Sequence, residues 1–214
     1  MRIALRKNIP VGAGLGGGSS DAAGTLLGMT RLFKFGATRL NAAQGRAKLR
    51  RIAAGLGADV PFFLQDAPFC VGTGIGEKLK PFSPAKAPPW MVLVYPGEAI
   101  STAGVYRALA KPVRSDVLTR LSQLGTLTKK LGNGRPFGEW GDLLFNRLET
   151  AVLPVHPEVS QAKRILGQLG ARGVLMSGSG SSVFGFAPSH EEGERIRKRL
   201  AAYPWRVFLT CCMG

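Results

Sequence analysis

The sequence has little cysteine and histidine, which argues against a disulfide-stabilised or metal-centred protein. The three cysteines, Cys70, Cys211 and Cys212, are odd in number and show no Cys-x-x-Cys spacing, so a disulfide framework and a zinc site are both disfavoured. The two histidines, His156 and His190, are too few and too isolated for a histidine-rich metal site. We therefore expect a reducing, cytoplasmic setting.

Long apolar runs are also missing. No stretch of eighteen apolar residues occurs, so the sequence predicts no membrane-spanning helix and no membrane partner. The basic residues 1–7 are followed by glycine, serine and aspartate, not by the apolar core of a secretion signal. With 214 residues, 45% of them apolar, the chain can form one large domain or two compact ones.

Acidic residues are scarce: 13 Asp and Glu stand against 29 Lys and Arg, and the formal net charge is +16. Such a charge can mark a nucleic-acid-binding protein. Here the basic residues are spread along the chain, and the densest cluster (46–51) would lie on the solvent face of a helix. We expect an enzyme with anionic small-molecule substrates and no nucleic-acid partner. A basic nucleic-acid-binding protein is the less favoured alternative.

Apolar periodicity predicts an α+β fold, because strands and helices interleave without the regular rhythm of a doubly wound sheet. Residues 1–7 alternate as a short strand, and residues 80–89, rich in proline and lysine, read as a connection between domains. The other predicted strands are 91–95, 173–176, 183–186 and 206–211, and the predicted helices are 22–33, 41–55, 104–109, 117–124, 142–152, 157–169 and 191–202.

The strongest chemical signal is a glycine-rich loop, since five of the seven residues 12–18 are glycine. Ordering so many glycines is entropically costly, and their use is close approach of the backbone to a bulky group. The loop leads into a predicted helix whose N-cap and first turn would be Ser19, Ser20 and Asp21. Because free N–H groups and the helix dipole favour an anion there, the pattern predicts a phosphate-binding site.

Two other phosphate loops are excluded by what the sequence lacks. A Walker loop ends in Gly-Lys-Ser/Thr, and no lysine occurs between Lys7 and Lys34. A dinucleotide fingerprint needs an acidic residue about twenty positions after its glycines, and no Asp or Glu occurs between Asp21 and Asp59.

Asp59 stands among small and apolar neighbours in Leu-Gly-Ala-Asp-Val-Pro-Phe-Phe (56–63). It is either a helix cap or a carboxylate that orients or deprotonates a substrate hydroxyl during phosphoryl transfer. A second loop, Ser-Gly-Ser-Gly-Ser-Ser (177–182), is either a hairpin turn or a loop that lies against another loop or a ligand.

In order and spacing these three segments resemble the motifs of GHMP kinases. Gly-Ile-Gly-Glu (74–77), Ile-Ser-Thr-Ala-Gly-Val-Tyr (100–106) and Phe-Asn-Arg-Leu-Glu (145–149) extend the resemblance, the last with Arg147 where an aspartate is usual. The resemblance implies an α+β fold with two-domain GHMP kinase architecture. Residues 1–80 would be the remainder of the N-terminal ATP-binding domain and 81–214 the C-terminal domain, whose last strand could return to the first domain.

The resemblance also implies an ATP-dependent, Mg²⁺-assisted kinase acting on an alcohol: the 2-hydroxyl of cytidine diphosphate methylerythritol, in isoprenoid precursor synthesis. Asp59 would be its catalytic residue, and Thr102, Gly178 and Ser179 would contact the substrate. The residues implied to hold ATP are Pro10, Gly12, Gly14, Leu15, Gly16, Gly17, Gly18, Ser19 and Ser20, with Ser20 also facing Mg²⁺. The enzyme would be a monomer or a homodimer.

Family members carry a segment ahead of the phosphate loop, with a lysine beside the catalytic aspartate and a Tyr-His pair that holds cytosine. These residues have no counterpart in the sequence, so we expect an incomplete first domain and impaired activity. A catalytically inactive, nucleotide-binding remnant of a GHMP kinase is the alternative.

Overall fold

The computed structural model describes residues 2–34, 42–65, 67–74, 76 and 78–212. The chain divides into two compact units, a smaller one formed by Gly16–Ser83 and a larger one formed by Met1–Leu15 together with Pro84–Gly214. Helices and strands occur in both units, which confirms the predicted α+β class. The domain limits expected from the family stay a prediction. Across the described ranges, no helix combines the length and the apolar character needed to cross a bilayer.

The smaller unit contains two helices and a β-hairpin. A small core of Ala23, Ala53 and Val60 joins the helices to the turn that follows them. The hairpin was not among the predicted strands, and Ile75 and Glu77 of the Gly-Ile-Gly-Glu motif lie outside the described residues. The elements are α1 (Gly17–Leu32), α2 (Ala42–Leu56), a 3-10 turn (Phe62–Leu64), and the antiparallel strands β1 (Phe69–Thr73) and β2 (Lys78–Phe82).

The larger unit is built on an antiparallel sheet with strand order β4-β5-β3-β6. Helices α6 and α7 pack on this sheet, and the core includes Val92, Val94, Leu166 and Ile196. The strands are β3 (Trp90–Tyr95), β4 (Arg172–Met176), β5 (Val183–Ala187) and β6 (Arg206–Thr210). The helices are α3 (Thr102–Ala108), α4 (Arg114–Gly132), α5 (Glu149–Val152), α6 (Pro157–Gln168) and α7 (His190–Leu200).

The strand predicted at residues 1–7 is wrong. Residues 2–7 are exposed and irregular, and no strand in the described part of the chain pairs with them. An alternating pattern alone does not make a strand, because strand hydrogen bonds need a neighbouring strand.

The single helix predicted at 142–152 is also wrong. The structure has a 3-10 turn at Gly141–Leu143, extended backbone at Leu144, and helix α5 only from Glu149. The Asn146 side chain accepts a hydrogen bond of 3.0 Å from the Leu148 amide. Such a local side-chain acceptor competes with the helical hydrogen-bond pattern and favours a turn.

Candidate active site

The glycine loop (12–16) has a glycine at each of its left-handed backbone positions. Gly12, Gly14 and Gly16 have positive φ angles of 68°, 72° and 64°, and the non-glycine residues between them do not. Only glycine adopts this conformation without a steric penalty. Left-handed glycines leave this backbone without side chains, so that a bulky group can approach it closely. That this backbone binds phosphate stays a prediction.

Helix α1 begins at Gly17, with Gly16 as its N-cap in the left-handed conformation and no side-chain cap. The helix predicted from Ala22, capped by Ser19 to Asp21, is therefore corrected to an earlier start. The first helical hydrogen bond runs from Ser20 N to Gly16 O at 2.9 Å. Helix geometry leaves the preceding amides, those of Gly17, Gly18 and Ser19, without an intrahelical acceptor, and such amides bind anions well.

The Ser20 hydroxyl donates to the carbonyl oxygen of Gly17 at 2.9 Å. This hydrogen bond uses its proton and fixes the direction of its oxygen. The lone pairs of that oxygen stay available to a cation, since a hydroxyl can donate and accept at once.

The serine–glycine loop (177–182) connects β4 to β5 and is tightly packed. Ser177 N donates to Ser182 O at 2.8 Å, and Gly180 N donates to Ser177 O at 2.9 Å. Ser179, Ser181 and Ser182 are buried, which is unusual for polar residues in a hairpin turn. The loop is therefore a shaped structural feature and more than a connection between two strands.

This serine–glycine loop lies directly against the glycine loop within the larger unit. The Ser177 hydroxyl donates to Gly14 O at 2.9 Å, and Ser182 N donates to Ala13 O at 3.1 Å. The interpretation of residues 177–182 as a loop lying against another loop is confirmed, and the simple hairpin turn is not.

Residues 98–102 form the third part of this arrangement. Ile100 N donates to Gly12 O at 3.3 Å, and the Ser181 hydroxyl donates to the carbonyl oxygen of Glu98. Thr102 and Ser179, both predicted to contact substrate, have their hydroxyl oxygens 2.7 Å apart. Gly178, the third predicted substrate residue, is exposed beside them with a positive φ of 53°.

Sequence reasoning missed a hydrogen-bonded pair that supports this segment. The Glu98 carboxylate lies 2.5 Å from Nδ1 of His156, which is the residue before α6. No spacing rule connects these positions in the sequence. In the sequence His156 stands alone, and this isolation gives no signal for its contact with Glu98.

Asp59 lies in the smaller unit, on the turn between α2 and Phe62–Leu64. Its neighbour Val60 is buried against Ala23 of α1 and Ala53 of α2, which fixes the backbone on either side. The Asp59 side chain is exposed and forms no hydrogen bond or ion pair with any residue that the structure describes. The 3-10 turn has Pro61 as its N-cap without a side-chain hydrogen bond, so the interpretation of Asp59 as a helix cap is wrong.

Comparison with known proteins places these loops in a family. The sequence pattern of the GHMP kinases N-terminal domain matches residues 1–67, and that of the GHMP kinases C-terminal domain matches residues 106–204. The 4-diphosphocytidyl-2-C-methyl-D-erythritol kinase of Pelobacter propionicus is 40% identical over 198 residues, covering 92% of this chain and 64% of its own. The kinase of the same name from Exiguobacterium sibiricum is 39% identical, covering all of this chain and 70% of its own. The chain belongs to the GHMP kinases.

Solved structures agree with this GHMP kinase assignment. A crystal structure of 4-(cytidine 5'-diphospho)-2C-methyl-D-erythritol kinase superposes with a TM-score of 0.72 at 34% identity, covering 98% of this chain and 70% of the other. Homoserine kinase from Cytophaga hutchinsonii gives a TM-score of 0.74 at 19% identity, a likeness in fold alone. The chain thus spans about two thirds of the length of the relatives it matches.

Proposed function

We propose that this GHMP kinase transfers the γ-phosphoryl group of ATP to the 2-hydroxyl of 4-diphosphocytidyl-2-C-methyl-D-erythritol. The observation that supports this substrate is the 40% identity to a relative whose name specifies a kinase of that compound. The glycine loop and the first amides of α1 support the nucleotide, because left-handed glycines permit close backbone approach and a helix N-terminus leaves its amides free for phosphate oxygens.

The proposed roles follow from where the side chains lie. Residues 10–20 would hold the ATP phosphates, with Pro10 buried ahead of the left-handed glycines as a rigid entry to the loop. The Ser20 oxygen, already oriented by Gly17, fits a magnesium ion, which would neutralise charge on the phosphates when bound. In the larger unit, Thr102 and Ser179 would share a hydrogen bond with the acceptor through their paired hydroxyls.

Asp59 would orient or deprotonate the attacking hydroxyl. Phosphoryl transfer depends mostly on positioning and on stabilisation of charge, so a fixed carboxylate beside the nucleophile is a large part of what a protein supplies. The Asp59 carboxylate is exposed and is not engaged elsewhere in the described chain, so it is available for this contact.

The test is an acceptor panel with the purified chain. ADP release and the ³¹P spectrum of the product would be measured with 4-diphosphocytidyl-2-C-methyl-D-erythritol, homoserine and mevalonate. Transfer to the first acceptor alone would support the proposal, and equal transfer to homoserine would overturn the substrate. ATP binding without transfer to any acceptor would favour the nucleotide-binding remnant. Thr102→Val should raise KM for the acceptor, whereas Thr102→Ser, which keeps the hydroxyl, should not.

A further inference from the structure

Asn146 lies beside the point where β4 passes into the serine–glycine loop. Its amide nitrogen donates to two carbonyl oxygens of that segment, Met176 O at 2.8 Å and Gly178 O at 2.7 Å. Its own oxygen accepts from the Leu148 amide at 3.0 Å. Both amide protons are therefore used on one loop, and the local turn fixes the direction of the side chain.

Glu149, in the first turn of α5, contacts the same end of β4 at Met176. Its Oε1 accepts from Met176 N at 2.8 Å, and both of its oxygens lie 2.6 Å from the Lys163 ammonium of α6. The Glu149 side chain is only 15% exposed. Hydrogen bonds to an ionised, partly buried carboxylate are stronger than neutral ones, and Lys163 keeps this carboxylate oriented.

The position of β4 explains why two side chains converge on Met176. β4 is an edge strand of the sheet, and the amide and carbonyl of an edge residue that point outward have no strand to pair with. At Met176 the carboxylate of Glu149 accepts from the amide, and the Asn146 amide donates to the carbonyl. The last residue before the loop is thus held on both of its backbone polar groups.

We propose that Asn146 and Glu149, the latter oriented by Lys163, are positioning residues that set the serine–glycine loop for phosphoryl transfer. This inference rests on the proposed function. Met176 precedes Ser177, which donates to Gly14 in the glycine loop, and Gly178 precedes Ser179, which contacts Thr102. A shift of Met176 would therefore move the hydroxyls of Ser177 and Ser179 together.

Asn146 and Glu149 should differ in their kinetic effects from residues that contact a ligand. Substitution at Asn146 or Glu149 should lower kcat more than it raises KM. The serine–glycine loop would then adopt several conformations, and few of them would allow phosphoryl transfer. The loop should also become detectably looser in the absence of any ligand. A residue that only stabilises the fold would loosen the whole unit, the buried strand β3 included.

The test combines hydrogen exchange with kinetics on Glu149→Gln, Asn146→Asp and Lys163→Met. Exchange in a peptide covering 176–182 should accelerate by about tenfold or more, as expected for loss of a charge-assisted hydrogen bond, while the β3 peptide (90–95) is unchanged. Glu149→Gln keeps the shape of the side chain and is the variant expected to fold best. Asn146→Asp places a carboxylate against two carbonyls, and it should recover as the pH falls, because a protonated carboxyl donates to one of them.

Matched controls are Glu191→Gln and Asn133→Asp, both at exposed positions of the larger unit. Unchanged exchange in 176–182 with Glu149→Gln would overturn the proposal whether or not the chain is active. Faster exchange with kcat unchanged would overturn the link to phosphoryl transfer. If the parent transfers no phosphate, the proposed function fails, and the exchange result still decides whether these residues hold the loop.

Discussion

The Ser177 hydroxyl donates a hydrogen bond of 2.9 Å to the carbonyl oxygen of Gly14, and so joins two loops that are far apart in the sequence. Gly14 has a φ of 72°, and a Cβ built there would lie 2.1 Å from Ser177 O and 2.7 Å from Gly180 O. Glycine is thus required at this position both for its backbone conformation and for the space that the second loop occupies.

Gly14→Ala should therefore be strongly destabilising. A left-handed alanine alone costs about 1–2 kcal/mol, and the clash with two carbonyls adds to that cost. Urea unfolding would measure the change in the free energy of unfolding. The matched control is Gly125→Ala in α4, where an added Cβ meets nothing within 4 Å. Similar unfolding free energies for the two variants would show that the loops are not packed as described.

Gly18→Val separates nucleotide binding from folding. A Cβ at Gly18 meets nothing within 4 Å, and the residue is exposed in the first turn of α1, so the variant should fold. A branched side chain there would nonetheless keep a phosphate from the amides of the helix terminus. We expect ATP affinity to fall by about tenfold or more, measured by isothermal titration.

The control for this prediction is Gly24→Val, which lies in the same helix and is equally open. Valine has a slightly higher helix propensity than glycine, so both variants should melt at or above the temperature of the parent. Equal ATP affinities in the two variants would remove the α1 terminus from the proposed phosphate site.

The glycine loop and the serine–glycine loop could be predicted from the sequence. Clusters of glycine and serine indicate positions where the backbone is left-handed or tightly packed. The left-handed residues Gly12, Gly14 and Gly16 are ones that only glycine occupies readily, so the pattern reports their conformation directly. The buried strand β3 was equally readable, since Met91 to Tyr95 is an uninterrupted apolar run.

Features that depend on tertiary contacts could not be read in the same way. The strand β2, Lys-Leu-Lys-Pro-Phe, has too few apolar residues to predict a strand and is formed by pairing with β1. The contacts of Asn146 with Met176 and of Glu98 with His156 join residues that only the folded chain brings together. Asp59 was found from its apolar surroundings, but the absence of a helix cap needed the structure.

The stability of the link between α4 and the 3-10 turn Phe137–Glu139 should depend on pH. Arg135 and Lys130 beside Glu139 hold the pKa of that carboxyl below its ordinary value of 4.5. Its stabilising contribution is therefore complete above that value and is lost as the pH falls through the lower, folded pKa. Glu139→Gln should lower the urea midpoint at pH 7 slightly, since the group is solvent-accessible.

At a pH below the folded pKa of Glu139, the difference in urea midpoint between Glu139→Gln and the parent should vanish. The parent carboxyl is then protonated and, like the glutamine amide, carries no charge. Glu191→Gln serves as the control for a generic loss of negative charge on this basic chain. A Glu139→Gln difference that persists below the folded pKa would mean that the carboxylate charge has no part in the stability of this link.

Asp59→Asn is the substitution that tests the proposed chemistry most directly. The side chain is exposed and makes no hydrogen bond or ion pair within the described ranges, so its replacement should leave the melting temperature unchanged. Asparagine keeps the size of aspartate but cannot accept a proton from the substrate hydroxyl. We expect kcat to fall by about a hundred- to ten-thousand-fold, the usual effect of losing a positioned general base.

ATP affinity should change little in Asp59→Asn, since the carboxylate is proposed to face the acceptor hydroxyl and not the phosphates. The assay is ADP release with 4-diphosphocytidyl-2-C-methyl-D-erythritol, with Asp116→Asn, exposed on α4, as the control for loss of one negative charge. A large fall in ATP affinity would place Asp59 near the nucleotide. Full activity of the asparagine variant would show that the general base is another residue, because an asparagine amide cannot accept the proton of the acceptor hydroxyl. A capping role does not complicate this test, since Asp59 caps no helix.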